Sequence, residues 1–208
     1  NDKVDLVDGG GNTIIDDVGD CVADGSSWIG AGSTSWFSDA SNWLFGAVPG
    51  AGSDVYFNLD ETYQVDFDAN ASSRSLDISS GDVTFDLGGW DYGIQDNDEG
   101  DDEISFIKIN GNGSGAEAEA SLTLINSDVA GTSELACDYN LVLGETKNSQ
   151  GSLRLVGSVN LQIDETMQVG NSGTGLFTME SASQAYMTSM DVGYEPESYG
   201  EVRLIGPL

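Results

Sequence analysis

The chain has 208 residues, 28 of them Gly, with 36 acidic side chains against 6 basic ones and no His, for a formal net charge of −30. That charge repels a phosphate backbone and excludes nucleic acid as a partner; the missing imidazole removes Ser-His and Cys-His nucleophile pairs, His general bases and every His-containing zinc site. Hydrophobic residues at 38 %, taken with the glycines, give the apolar share of an ordinary globular chain, so a turn-rich core is expected. No apolar run approaches the roughly 20 residues of a membrane-spanning helix. A chain that opens on Asn1 with no signal-like segment reads as a processed or excised piece.

In chain order, residues 1–26 form an acidic, Gly-rich extension with two strand-like apolar pieces, at 4–7 and 13–15, that would order against a neighbour. Residues 27–115 begin with a Trp-rich stretch and continue with alternating apolar pieces at 55–57, 63–67, 76–78, 83–87 and 104–109. The pieces at 76–78 and 83–87 predict two strands of a degenerate repeat, followed by an acidic insertion at 96–103. The one helix candidate, Ala116-Glu117-Ala118-Glu119-Ala120, is too short to hold as a helix by itself.

Residues 116–208 repeat. Gly151, Gly175 and Gly200 each open a Gly-x-apolar-x-apolar stretch and recur at 24 and 25 residues; an earlier copy runs over 120–126. Between them Gly144, Gly170 and Gly193 close apolar-x-Val-Gly or Leu-Val-Leu-Gly steps at 26 and 23 residues. Each unit has room for three short strands, such as 153–155, 159–163 and 167–169. Two interleaved motifs with one period predict an all-β chain, a right-handed parallel β-helix (β-solenoid) with rungs of about 24 residues and an irregular Trp-rich N-terminal region. Leu122, Leu153, Phe177 and Val202 then form one inward column and Leu124, Leu155, Met179 and Leu204 another. Thr123, Arg154, Thr178 and Arg203 form an exposed column, and the three closing glycines turn corners at positive φ. A sandwich of antiparallel hairpins would also give frequent turns, but no reason for the step.

The segments Trp28-Ile29-Gly30, Trp36-Phe37-Ser38-Asp39-Ala40-Ser41-Asn42-Trp43 and 46–57 resemble the opening module of bacterial surface and secreted β-helix proteins, both autotransporter-passenger-like chains and those sorted by the exosortase route. The later glycine steps resemble the repeat of the same proteins. The resemblance covers roughly residues 28–208 and implies architecture and a cell-surface location, with roles from adhesin and stalk to sheath or matrix component and, less often, enzyme. The chain departs from it in shortness, with about three clear repeats.

Several residues are candidate sites. Asp96, Asp98, Asp101 and Asp102 offer oxygens to Ca²⁺, although counting Gly100 as the sixth position of an EF-hand loop puts Gln95 where the first carboxylate belongs. The stretch 8–16 resembles one copy of a Ca-binding Gly/Asp nonapeptide without the neighbours needed to stack. Trp28, Trp36 and Trp43 are either a sugar-stacking platform or a lid on the apolar end of the coil. Cys21 and Cys137 are either one long-range disulfide, favoured by secretion, or two buried thiols. Tyr186, Tyr194 and Tyr199 fall near exposed turns. Catalysis would fall to paired carboxylates, in a chain whose charge repels polyuronate substrates.

The last repeat, opening at Val202 and Leu204, leaves an apolar edge uncovered. Val4, Leu6 and Ile14 of the N-terminal extension are candidates to cover it in the next copy, head to tail, as donor strands of a filament. The expected function is a non-enzymatic extracellular structural protein of a surface layer, sheath or filament. A glycan-binding adhesin module is the alternative, and a polysaccharide-active enzyme a third reading.

Overall fold

A computed structural model of the chain describes residues 4–7, 13–16, 25–95, 105–111, 118–128, 131–180 and 182–206. The strands are, in order, β1 (Val4–Val7), β2 (Thr13–Asp16), β3 (Gly25–Ser27), β4 (Asp54–Phe57), β5 (Thr62–Asp66), β6 (Ala71–Ser73), β7 (Ser75–Ile78), β8 (Gly81–Asp86), β9 (Tyr92–Ile94), β10 (Phe106–Ile109), β11 (Ala118–Ile125), β12 (Ser133–Cys137), β13 (Asn140–Leu143), β14 (Ser149–Val156), β15 (Val159–Val169), β16 (Thr174–Glu180), β17 (Gln184–Val192) and β18 (Tyr199–Ile205). Two 3₁₀ turns, Ala40–Asn42 and Leu44–Gly46, are the helical elements among the described residues. The fold is all-β, and β1 and β2 form a separate antiparallel pair.

The two larger sheets are parallel throughout. One holds six strands in the order β5-β8-β11-β14-β16-β18. The other holds ten, β3-β4-β7-β10-β13-β15-β12-β9-β6 with β17 beside β15. It reads as two ladders because β15 bends: its first half pairs with β12, its second with β13, and β17 follows both across a register shift between Ile163 and Thr166. The chain therefore passes through three ladders in one repeated order: β5-β6-β7, β8-β9-β10, β11-β12-β13, then β14 and bent β15, then β16 and bent β17. Parallel pairing throughout these sheets removes the sandwich of antiparallel hairpins.

Alternation decides which side chains go inside. In β14, Leu153 and Leu155 are fully buried and Arg154 between them is exposed, as a two-residue side-chain period requires. Register stacks like on like: Leu122, Leu153, Phe177 and Val202 are aligned, and so are Leu124, Leu155, Met179 and Leu204. The earlier strands continue these columns through Val83 and Tyr63, and through Phe85 and Val65. A second ladder aligns Ile94, Cys137, Ile163 and Met187, the third Leu76, Ile107, Leu141 and Met167. Phe85 of the first ladder lies 5.0 Å from Phe57 of the third and 6.1 Å from Tyr92 of the second, between ring centroids, so all three face one core.

The two glycine motifs have one cause. Gly144 and Gly170 turn with φ of 64° and 75°, in the left-handed region open to glycine, and bring the backbone against the start of a first-ladder strand. A Cβ on Gly151 would lie 1.9 Å from the Ile109 carbonyl oxygen, and one on Gly175 2.1 Å from the Gly170 nitrogen.

One expectation needs correction. Thr178 is buried at 7 % exposure rather than exposed, because it lies between Arg154 and Arg203 in the ladder and long side chains cover a short one. Within the helix candidate, residues 118–120 open strand β11, its backbone paired to β8 and β14; residues 116 and 117 lie outside the described residues.

Leu155 tests this packing. Leu155→Ala is expected to cost about 2–5 kcal/mol in chemical denaturation, and Leu155→Asp to abolish the cooperative transition, since an unpaired buried carboxylate consumes most of a typical 5–15 kcal/mol stability. Wild-type stability in Leu155→Asp would contradict the buried column.

Candidate functional site

The two ends of the ladders differ. At the N-terminal end Trp28, Phe37 and Trp43 are 1–3 % exposed. Trp28 and Trp43 meet edge to face at 5.1 Å, Phe37 lies 5.0 Å from Trp43, and Phe37 stacks on Phe67 at 4.8 Å. The segment that carries them is held by polar groups: Trp43 Nε1 donates to the Phe37 carbonyl at 2.7 Å. The fully buried Asn42 accepts from the Gly32 amide at 2.7 Å and donates to the carbonyls of Thr34 and Trp36. This corrects the sugar platform: Trp28 and Trp43 have no free face, because large indoles close the apolar end of the core, and Trp36 alone of the three is exposed.

Among the described residues, the core is uncovered at the C-terminal end of the ladders. Phe177, Met179, Ala185, Met187, Met190 and Val202 line, with Leu204, an apolar depression of about 520 Å³. Leu204 is 74 % exposed, and β18 has a ladder neighbour, β16, on one side. Val202 and Leu204 lie at this end of the ladders. Val4, Leu6 and Ile14 lie on the separate hairpin, where Val4 pairs with Asp16 and Leu6 with Ile14.

Asp96, Asp98, Asp101 and Asp102 lie outside the described residues, and among the described residues no group of acids, Cys or His is placed to hold a metal. Cys21 is likewise outside them. Cys137 is a buried free thiol whose Sγ lies 3.6 Å from the Asn140 carbonyl oxygen; burial pushes it up to about 11. In its column between Ile94 and Ile163 it serves as a small apolar side chain. Tyr186, Tyr194 and Tyr199 are exposed.

The described cations are all engaged. Arg74 pairs with Asp54 at 2.6 Å, Lys108 with Glu145 at 2.9 Å, Lys147 with Glu197 at 3.2 Å, Arg154 with Glu180 at 2.8 Å and Arg203 with Glu201 at 2.6 Å. A shallow outer groove of about 280 Å³ is lined by Asp82, Glu119, Ser121, Gln150, Ser152 and Glu201 among others. Sequence reasoning missed it, since the groove follows from ladder alignment of residues far apart in the chain, Asp82 with Ser121 and Ser121 with Ser152. Ser121 donates to Asp82 at 2.6 Å, which satisfies that carboxylate locally.

No family model, curated protein or solved structure matches the chain.

Asp77 is aligned between Tyr56 and Lys108 in the third ladder. Its Oδ1 is buried and finds no hydrogen-bond partner among the described residues. Burial raises its carboxyl above the ordinary range, with Lys108 opposing and Glu145 adding to the shift. Between the ordinary Asp value, about 3.9, and the raised one, the folded chain binds a proton more tightly than the unfolded chain, so this group's contribution to stability falls as pH rises through that window. Asp77→Asn is expected to raise the melting temperature relative to wild type at pH 7, with the difference vanishing near pH 3. An equal difference at both pH values would contradict the assignment.

Proposed function

We propose that the three ladders form a right-handed parallel β-helix and that the protein is a non-enzymatic structural element of an extracellular, bacterial-type surface layer, sheath or filament. It acts by head-to-tail self-association of the ladders. The observation that carries this reading is the in-register stacking of one side-chain column through every strand of the first ladder, over a core sealed by Trp28, Phe37 and Trp43 at one end. Repeat architectures of this kind serve as extended structural bodies. In-register stacking of Leu122, Leu153 and Phe177 supports the β-helix.

Engagement of every described cation by a carboxylate supports a structural role over a lyase acting on acidic sugars, which needs a free base or positive charge in its groove. The glycan-binding alternative keeps one exposed ring, Trp36, of its three. Calcium held by Asp96, Asp98, Asp101 and Asp102 is part of the proposal as a counterion, because about thirty uncompensated negative charges resist both compaction and association.

Sedimentation of the purified chain, with and without Ca²⁺ at matched ionic strength, beside a glycan array, tests this function. The expected result is concentration-dependent association, strengthened by Ca²⁺ beyond screening alone, with an empty array. A monomer that binds glycans would replace the proposal with the adhesin reading.

A further inference from the structure

We infer that Asn70 is an N-glycosylation acceptor. It takes an oligosaccharide from a polyprenyl-diphosphate donor, through a transferase that reads Asp68 two residues before it and Ser72 two residues after. The inference rests on the extracellular location proposed above and is independent of whether copies associate.

The sequence holds two Asn-x-Ser/Thr triplets, Asn70-Ala71-Ser72 and Asn112-Gly113-Ser114, the pattern an N-linked acceptor needs, with no Pro at the middle position. Asn112 lies outside the described residues. Of the two, Asn70 has a carboxylate two positions earlier, in Asp68-Ala69-Asn70-Ala71-Ser72, where the other triplet has Asn110. A carboxylate at that distance offers a transferase a charge-assisted handle that fixes the acceptor.

The fold presents all three side chains on the surface. Asn70 is exposed, in the connection between β5 and β6, directly before Ala71 opens the strand. Its Oδ1 accepts from the Asp91 amide at 3.0 Å, which fixes the carboxamide and turns Nδ2, the nitrogen to be substituted, away from that backbone. Asp68 accepts from the Ser38 hydroxyl at 2.6 Å, also at the exposed surface. Ser73 is buried with its hydroxyl on Tyr92, so Ser72 beside it projects outward, opposite Gly93.

There is room on both sides of this segment. Strand β6 ends its sheet, with β9 as its one ladder neighbour among the described residues. A depression of about 200 Å³ adjoins it, lined by Val48, Pro49, Asp68, Asn70 and Ser72 among others, from which an enzyme can engage the segment as extended chain. On the β9 side a polar groove of about 380 Å³ is lined by Asn70, Asp91, Gln95 and Glu134, with Gly93 and Ala136. Those two small residues leave space for the first sugar, whose hydroxyls meet carboxylates and amides that accept or donate to them.

The step is a displacement at the anomeric carbon. Asn70 Nδ2 bonds to C1 of the first sugar as the C1–O bond to the diphosphate breaks. The diphosphate leaves with the electron pair, and Nδ2 gives up one of its two protons. The product is an uncharged substituted amide, which adds a bulky, solubilising group without adding to the net charge of −30.

The test incubates the folded 208-residue chain with a bacterial oligosaccharyltransferase, Mn²⁺ and an undecaprenyl-diphosphate-linked oligosaccharide. A synthetic peptide of residues 66–74 runs in parallel as the unfolded acceptor. Intact mass is expected to rise by one oligosaccharide, and peptide mapping to place it on Asn70, with circular dichroism unchanged. Asn70→Gln and Ser72→Ala are each expected to abolish transfer. Asp68→Ala is expected to lower the modified fraction at early times by about tenfold or more, as loss of one charge-assisted hydrogen bond requires. A folded chain left unmodified while the peptide is modified would overturn the surface presentation, and a refused peptide would overturn the motif itself. Transfer to Asn112 in place of Asn70, or transfer that survives Ser72→Ala, would overturn the site. Each of these results leaves self-association standing, since sedimentation of the unmodified chain measures that separately.

Discussion

The structure depends on in-register parallel pairing. With strands about 4.8 Å apart and side chains alternating in and out, each inward residue lies beside its counterpart in the adjacent strand, so a column accepts only residues that pack on their own kind. This explains why Leu122, Leu153 and Phe177 are buried to within 1 % exposure. It also explains why Gly151 and Gly175 recur where the next ladder's corner presses on the strand, since a side chain there would collide with backbone.

The same geometry accommodates the acidic composition. Outward columns put carboxylates beside donors on the adjacent strand: Ser75 on Asp54 at 2.6 Å, Ser121 on Asp82 at 2.6 Å, and the Ser127 and Glu134 amides on Asp86 and Asp91, both at 3.0 Å. The few cations also bridge neighbours, as in Arg74 on Asp54 and Arg154 on Glu180. The more exposed of these, such as Arg154 on Glu180, contribute little singly; their effect is to replace acid-acid contacts across a ladder with satisfied ones. Asp77 and Glu134 are exceptions: burial raises both carboxyls, and Asp91 and Asp164 add to the shift at Glu134.

The later strands were legible because their connections are short. Gly151, Gly175 and Gly200 recur evenly, and the period alone assigns Leu153, Phe177 and Val202 to one column, as the register has it. Earlier copies were obscured by insertions: from Gly81 to its ladder partner Ala120 the chain runs 39 residues, and from Ala120 to Gly151 31. Strands 76–78 and 83–87 therefore read as a degenerate pair, although Leu76 and Val83 stand in the same columns as Ile107 and Leu122. Burial of the Trp-rich segment was legible as a lid, but only beside the platform as an alternative. An aromatic lid and an aromatic platform have one composition, and Asn42, whose hydrogen bonds fold the segment inward, carries no local signal of its partners. The outer groove was hidden for the related reason that a column collects residues from distant parts of the chain.

The central claim is the strand order within the first ladder, and it is measured most directly by electron-electron distances between spin labels on outward positions. Labels at Gln64, Thr84 and Thr123, each paired in turn with one at Arg203 and diluted with unlabelled chain, sample strands five, four and three steps from β18. In-register parallel stacking requires backbone separations of roughly 24, 19 and 14 Å, a fall of about 4.8 Å per step. Distances that fail to decrease in that order, or that coincide for two of the three pairs, would contradict the ladder and everything argued from it.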